Sequence, residues 1–341
     1  MPKNFLEQVP IQQRNSQNII VQNTTRPFST SHWSLAIIAD RILRIETSYG
    51  GRNTIMTLTN FELAKKHLGS PSYENEGIAI YNMECLHGMQ KLPSGIVDLT
   101  VTSPPYNIGK EYESLIETSE YVEWCSAWMK EIHRITLEKG SFWLNVGYFE
   151  VKSKGLAVPI SYLLWDKSPF YLLQEVVWNY AAGVACRLRF SPRNEKLLWY
   201  VKNPEAYTFN LDAVRDPNVK YPNQKKNGKL KCNPLGKNPS DVWQIAKVTS
   251  GAKRSSKERT AHPAQFPTEM IERIIKSSSN ESDLILDPFM GSGSTAIAAI
   301  ANNRKVIGFE INEAYVEIAK ERIESYLYEK AALNPQPELL F

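Results

Sequence analysis

The sequence predicts an α/β protein built on a doubly wound, mostly parallel sheet. Two observations carry that expectation. From residue 77 onward, short apolar runs alternate with amphipathic helical stretches, the signature of βαβ units. One such unit, "LILDPFMGSGSTAIAAI" (284–300), passes from an apolar strand through Asp287 and a turn holding Gly291 and Gly293 into a helix-forming run. That is the layout of a nucleotide-binding strand, loop and helix. Such a unit ordinarily opens a doubly wound sheet, yet here it arrives in the last fifth of the chain.

The remaining elements follow in order. Residues 1–75 form an N-terminal extension. Its first thirty residues are polar and Gln/Asn-rich and are expected to be poorly ordered. "SLAIIADRILRIETS" has helical spacing of Leu35, Ile38, Ile42 and Ile45, and "TNFELAKKHLG" reads as a short helix capped by Thr59 or Asn60 and stopped at Gly69. Then come a strand, "GIAIYNME", ending at Glu84, a helical turn up to Pro93, and a β-branched strand, "IVDLTVT" (96–102), that runs into "SPPYN". A helix follows with Tyr121, Trp124, Trp128 and Ile132 on one face, then strands at "GSFWLNVG" and "YLLQEVVWN". After a basic segment the rhythm resumes with "QFPTEMIERIIKSSS" as helix, the glycine-turn unit, "KVIGFEIN" as strand and a last helix. In such sheets ligands bind at the carboxyl ends of strands, where Glu84, Ser103, Asp287 and Glu310 all fall.

Composition narrows the function classes. Apolar residues make up 42% and charged residues 22%, as in globular proteins. The first 25 residues hold no apolar h-region and no run of 18 apolar residues occurs, which argues against a signal peptide or membrane span and for a cytoplasmic protein. Cys85, Cys125, Cys186 and Cys232 are scattered without a ligand-like spacing, so reduced thiols and no metal site are expected. The net charge of +4 hides an asymmetry, because residues 181–260 carry 17 Lys and Arg against 6 Asp and Glu. A charged run is usually a solvated face. Here Trp199, Tyr200, Tyr207, Phe209, Tyr221 and Trp243 are interleaved with the charges, which argues for a folded surface that meets phosphate.

Two stretches carry chemistry. "DPFMGSGST" lacks the lysine of a P-loop and the third glycine of the dinucleotide fingerprint, yet a tight turn at a helix start can cradle a polar ligand. Glu310 closes the next strand, about 20 residues on, where an acid meets the two ribose hydroxyls of a nucleoside. An acid there repels phosphate and suits an unphosphorylated nucleoside such as S-adenosylmethionine. In "TSPPYN" the two prolines end the strand's ladder and stiffen the turn. Ser103 and the Pro104 carbonyl offer acceptors and Tyr106 a flat ring, a set that fits a planar base with an exocyclic amine.

"TSPPYN" resembles the catalytic motif of S-adenosylmethionine-dependent DNA amino-methyltransferases, and "DPFMGSGST" resembles their cofactor loop. "HPAQFP" (262–267) is similar to their third cofactor element. Because the proline motif precedes the loop, the order is that of the circularly permuted beta group, which accounts for the late glycine turn. The resemblance covers roughly residues 77–328. It implies a Rossmann-like, circularly permuted methyltransferase fold in two halves (76–180 and 261–330), with residues 181–260 inserted as target-recognition region and 331–341 as a tail. It places Asp287, Pro288, Phe289, Gly291, Ser292, Gly293 and Thr295 around the cofactor and Glu310 on its ribose. His262, Gln265 and Phe266 fall at its methionine end, and Glu84, whose neighbours "NM" depart from the usual Gly-Asp, beside its adenine.

By the same resemblance Ser103, Pro104, Pro105 and Tyr106 form the catalytic turn, and the reaction is direct transfer to an amine of a base flipped from double-stranded DNA. Ser before Pro-Pro-Tyr is typical of cytosine-N4 enzymes and Asp of adenine-N6 enzymes, so cytosine is expected and adenine is the alternative. RNA or protein-amide methylation and non-catalytic DNA binding fit the permuted order and intact motifs less well. Candidate base-reading residues are Arg187, Arg189 and Arg193. Candidate phosphate contacts are Lys225, Lys226 and Lys229. A cognate restriction endonuclease acting on the same site is an expected partner, and the chain itself is expected to be a monomer or homodimer.

Overall fold

The computed structural model describes residues 58–111, 113–180, 183, 185–248 and 258–333, with the backbone of strands between residues 33 and 58. The expected poorly ordered first thirty residues, and 334–341 of the tail, lie outside the described residues. The elements are β1 (Trp33–Ile38), β2 (Ile42–Tyr49), β3 (Arg52–Leu58), α1 (Asn60–Leu68), β4 (Tyr73–Asn75), β5 (Ile78–Asn82), α2 (Cys85–Lys91) and β6 (Val97–Thr102). They continue with α3 (Thr118–Ile135), β7 (Thr136–Val146), β8 (Tyr148–Val151), β9 (Gly155–Pro159), α4 (Ile160–Leu164), β10 (Tyr171–Asn179) and β11 (Asn194–Val201). The remainder are β12 (Lys225–Lys226), β13 (Lys229–Leu230), β14 (Val242–Gln244), α5 (Thr268–Ser278), β15 (Leu284–Asp287), α6 (Ser294–Ala301), β16 (Lys305–Glu310) and α7 (Glu313–Leu333).

One nine-stranded sheet organises the molecule, in the order β14-β10-β11-β7-β6-β15-β16-β5-β4. The run β7-β6-β15-β16-β5 is parallel throughout, while β11 lies antiparallel to both β7 and β10. The strands read as near-continuous apolar runs because both faces are covered. Side chains alternate along each strand: Leu284 and Leu286 join the core under α1 to α4, whereas Ile285 joins the core under α5 to α7. On α5, Met270, Ile271, Ile274 and Ile275 are fully buried and each contributes about 1.5–3 kcal/mol of burial. Among the described residues, no helix is long and apolar enough to cross a membrane.

The late glycine-turn strand, β15, sits at the middle of this sheet. From β15 the chain passes through α6 to β16 on one side, and from β6 it passes through α3 to β7 on the other. The strand order therefore reverses between β15 and β6, and a crevice opens above their carboxyl ends.

Two expectations are corrected. In place of the expected helix, β1 and β2 are strands paired antiparallel, with Leu35 opposite Ile45 and Ile38 opposite Ile42. Ile37, Ile38, Ile42, Ile45 and Thr47 are β-branched and favour strand, although Leu35, Ile38, Ile42 and Ile45 fall at helical spacing. The basic segment does not wholly interrupt the sheet, because β11 and β14 fall within residues 181–260 and are sheet strands. Consequently Trp199, Tyr200 and Trp243 are core residues at 6%, 0% and 8% exposure and cannot meet phosphate. Trp199 stacks on Trp143 at 4.9 Å. The extension also contributes to the fold: α1 carries Thr59 as its N-cap and Gly69 as its C-cap, and buries Phe61, Ala64 and Leu68.

Candidate active site

Above the carboxyl ends of the central strands lies a cavity of about 870 Å3. Its floor follows the strand order. Glu84, Glu310 and the turn after Asp287 come from β5, β16 and β15; Ser103, Asn145 and Glu195 come from β6, β7 and β11. The two motifs, far apart in sequence, are neighbours because β15 pairs with β6, Leu286 opposite Thr100.

Asp287 locks that junction. It is fully buried; Oδ1 accepts from Thr102 Oγ1 at 2.6 Å and from the Phe289 amide at 3.1 Å, while Oδ2 accepts from Thr295 Oγ1 at 2.6 Å. Burial outweighs these donors and raises its pKa to about 7. Pro288, Phe289, Gly291 and Ser292 line the cavity, whereas Asp287, Gly293 and Thr295 lie behind its wall and hold the turn in shape. Gly291 has φ 51°, and a Cβ there would stand 3.0 Å from His262 Nε2, so the turn and the imidazole close on each other only with glycine. Arg322 clamps the same turn from α7. It donates to the Ser292 carbonyl at 3.1 Å and to Ser294 Oγ at 2.8 Å, and pairs with Glu258 at 3.0 Å.

Glu310 Oε2 accepts from the Gly291 amide at 2.8 Å and Oε1 from the Asn312 amide at 2.9 Å. Burial raises its pKa. Glu84 is the N-cap of α2, accepting from the Leu86 and His87 amides at 3.0 and 2.7 Å, with its side chain at the cavity edge. Across the cavity His262 packs edge-on to Tyr315 at 4.4 Å. Burial lowers its pKa to about 4, so the ring is neutral and compatible with a cationic ligand. Gln265 ties down its own turn, accepting from Thr260 and donating to the Glu258 carbonyl at 2.6 Å. Phe266 lines the wall beside it, and its carbonyl accepts from Ser294 Oγ at 3.1 Å.

The proline turn presents the acceptors that the sequence suggests. The Pro105 carbonyl is taken by the Tyr121 hydroxyl at 2.8 Å, while the Pro104 carbonyl has no partner among the described residues. Ser103 Oγ lies 2.9 Å from the Tyr106 hydroxyl. The Tyr106 ring packs against Gly147, where a Cβ would come within 2.9 Å of it. Two further residues, without any local signature, complete this end. Asn145 Nδ2 donates to the Tyr106 hydroxyl and to Glu195 Oε2, both at 2.8 Å, and Tyr106 reaches Glu195 Oε2 at 3.1 Å. Burial raises the Tyr106 pKa well above the usual phenol range.

The rim is basic. Lys110, Lys247 and Arg259 line the cavity. The β10–β11 connection beside it carries Arg187 and Arg189 alternating with Leu188 and Phe190, both 100% exposed. Arg193, at its end, donates to the Pro192 carbonyl at 2.8 Å. Lys225, Lys226 and Lys229 are exposed on the β12–β13 hairpin, away from the cavity lining.

Comparison with known proteins agrees with this geometry. Residues 97–321 match the DNA methylase family of N6 and N4 methyltransferases. The Type II methyltransferase M.ScaI of Streptomyces caespitosus is 63% identical over 261 residues, covering 76% of this chain and 86% of that one. Among solved structures, the cytosine-N4-specific PvuII DNA methyltransferase is similar with a TM-score of 0.61 at 21% identity, over 78% of this chain and 96% of the other. A Thermus thermophilus protein solved with S-adenosyl-L-methionine has a TM-score of 0.52 at 21% identity, over 73% and 95%. The sheet and the cavity define an α/β methyltransferase of Rossmann-like architecture. The chain belongs to the DNA methylase family, the N6 and N4 amino-methyltransferases of DNA.

Proposed function

We propose that the chain methylates N4 of cytosine at a specific site in double-stranded DNA, using S-adenosylmethionine, as the modification partner of a restriction endonuclease. The carrying observation is that Ser103, Pro104 and Tyr106 share one cavity with the Gly291 turn and Glu310, the Pro104 carbonyl having no partner among the described residues. The cofactor fits what lines that cavity. Glu310 keeps lone pairs for ribose hydroxyls, Gly291 leaves the backbone open to close approach, and a neutral His262 does not repel a sulfonium. When bound, the cofactor supplies an electrophilic methyl group that needs no metal. Asp287, Gly293 and Thr295 support the turn that would hold it, and Glu84 and Phe289 border the space left for its adenine.

An exocyclic amine is a poor nucleophile because its lone pair is delocalised into the ring. Hydrogen bonds from its two N–H groups to Ser103 and Pro104 favour a pyramidal nitrogen aimed at the methyl group, and the Tyr106 ring holds the base plane. Catalysis is then positioning and electrostatics. Flipping a base costs a few kcal/mol, which the basic rim and the Arg187–Phe190 loop offset by gripping the backbone and filling the gap. Ser in place of Asp at position 103 supports cytosine over adenine. Methylating unmethylated plasmid DNA in vitro and analysing its nucleosides by mass spectrometry tests this. N4-methylcytosine is expected; N6-methyladenine would reassign the base, and neither product would sink the reading.

DNA binding has its own test. If Lys225, Lys226 and Lys229 neutralise phosphates, log affinity falls with log salt by about 0.9 per contact. Replacing all three with Ala is expected to flatten that slope by up to roughly three units without changing cofactor affinity. Identical slopes would make the hairpin a solvated face.

A further inference from the structure

We propose that Glu195 is a positioning residue that sets the direction of the hydroxyl chain at the target amine and receives, through it, the proton that the amine loses. This rests on the cavity being an amine-methylating site, for either base.

The polarity of the network follows from its donors. The two hydrogens of Asn145 Nδ2 go to its 2.8 Å neighbours, Glu195 Oε2 and the Tyr106 hydroxyl, and Ser103 Oγ at 3.5 Å is left over. The reverse amide orientation would set Asn145 Oδ1 against the carboxylate. Tyr106 has one hydrogen, and Glu195 Oε2 at 3.1 Å is a nearer and more strongly accepting partner than the Asn145 carbonyl at 3.3 Å. Its remaining capacity is to accept, so at 2.9 Å Ser103 donates to it. Both Ser103 lone pairs are thereby free to accept from the amine. A carboxylate at the far end of the hydrogen-bond chain enforces the acceptor state of a serine that could equally have donated.

The same chain disposes of the proton. As the N–C bond forms, the S–C pair returns to sulfur, and the methylated nitrogen carries a positive charge and a surplus proton. A serine hydroxyl cannot keep a second proton at neutral pH. The proton passes to Ser103 Oγ, that of Ser103 to Tyr106 and that of Tyr106 to Glu195 Oε2, leaving both hydroxyls as they began. Tyr106 acts as a neutral relay, in keeping with a phenol whose ionisation burial suppresses. Of the carboxylates lining the cavity, Glu84 caps α2 and Glu310 holds two backbone amides; Glu195 is the one joined to Ser103.

Glu195→Gln, Glu195→Asp and Tyr106→Phe test this. One assay is single-turnover methylation of unmethylated plasmid DNA. The other is fluorescence of 2-aminopurine placed at the target position of a duplex carrying the site the wild type methylates. Glu195→Gln and Tyr106→Phe are expected to keep the fluorescence rise of base entry within about twofold while transfer falls about 10²-fold, the scale of general-base loss. Glu195→Asp is expected to recover part of the rate. Wild-type transfer by Glu195→Gln would overturn the proposal, and so would a base-entry signal lost in proportion to the rate, since that marks a structural role. An N6-methyladenine product from the wild type would correct the base proposed above and leave this inference standing.

Discussion

Ser103→Ala is expected to leave cofactor affinity unchanged and to lower kcat by about 10²- to 10³-fold, the loss typical of removing one preorganised partner of a reacting group. The reason is local. Ser103 lies at the end of β6, and the turn that would hold the cofactor is fixed by Asp287, Thr295 and Arg322 without its help. Alanine removes the acceptor for one amine hydrogen and leaves the Pro104 carbonyl to hold the other. Tyr106→Ala is expected to lose more. It deletes the ring on which the base stacks, worth about 1–3 kcal/mol, and deprives Asn145 Nδ2 and Glu195 Oε2 of a partner at the same time. Calorimetric cofactor binding and single-turnover methylation separate the two quantities. Wild-type turnover in both variants would remove the proline turn from the chemistry.

What the sequence makes legible here is whatever is carried by local pattern. The β15 strand, its glycine turn, the β6 strand and the proline turn after it each occupy a dozen residues or fewer, and the alternation of strands with helices places both turns at one edge of a sheet. Asn145 and Glu195 are different. Neither belongs to a motif, and they come together because β11 folds back antiparallel on β7 with Leu197 opposite Asn145. That pairing depends on a register no local pattern reveals, although "NEKLLWYV" is apolar enough to be read as a strand. Arg322 is hidden for the same reason, one charge among many on α7 whose partners, a backbone carbonyl, hydroxyls and Glu258, are brought to it by the fold. The β1 and β2 strands show the converse: Leu35, Ile38, Ile42 and Ile45 fit a helical stripe, yet antiparallel pairing of β-branched residues overrides that pattern.

Asp287 carries the second large effect, and stability separates it from Glu310. Asp287→Ala leaves the Thr102 and Thr295 hydroxyls and the Phe289 amide without their acceptor in a site closed to water, which costs about 2–4 kcal/mol. It is also expected to weaken cofactor binding through the loosened turn. Glu310→Ala is expected to weaken cofactor binding with a smaller loss of stability, because its two amide partners lie nearer solvent. Asp287→Asn isolates the charge, since an amide can still accept from Thr102 and Phe289 while Thr295 turns to accept. The folded pKa of about 7 stands above the ordinary value of 3.8, so the folded protein binds more protons than the unfolded chain between these values. The stabilisation from protonated Asp287 is therefore full below pH 4 and is lost as pH rises through 7, on the order of 4 kcal/mol across the window. Glu310, also raised by burial, acts in the same sense, whereas His262, lowered to about 4, costs stability as pH falls below its ordinary value. Only the difference between wild type and Asp287→Asn is diagnostic. Thermal unfolding from pH 5 to pH 8 is expected to show the variant gaining on the wild type by several degrees towards the alkaline end. A constant difference across that range would mean that Asp287 stays ionised in the fold, its three donors outweighing burial.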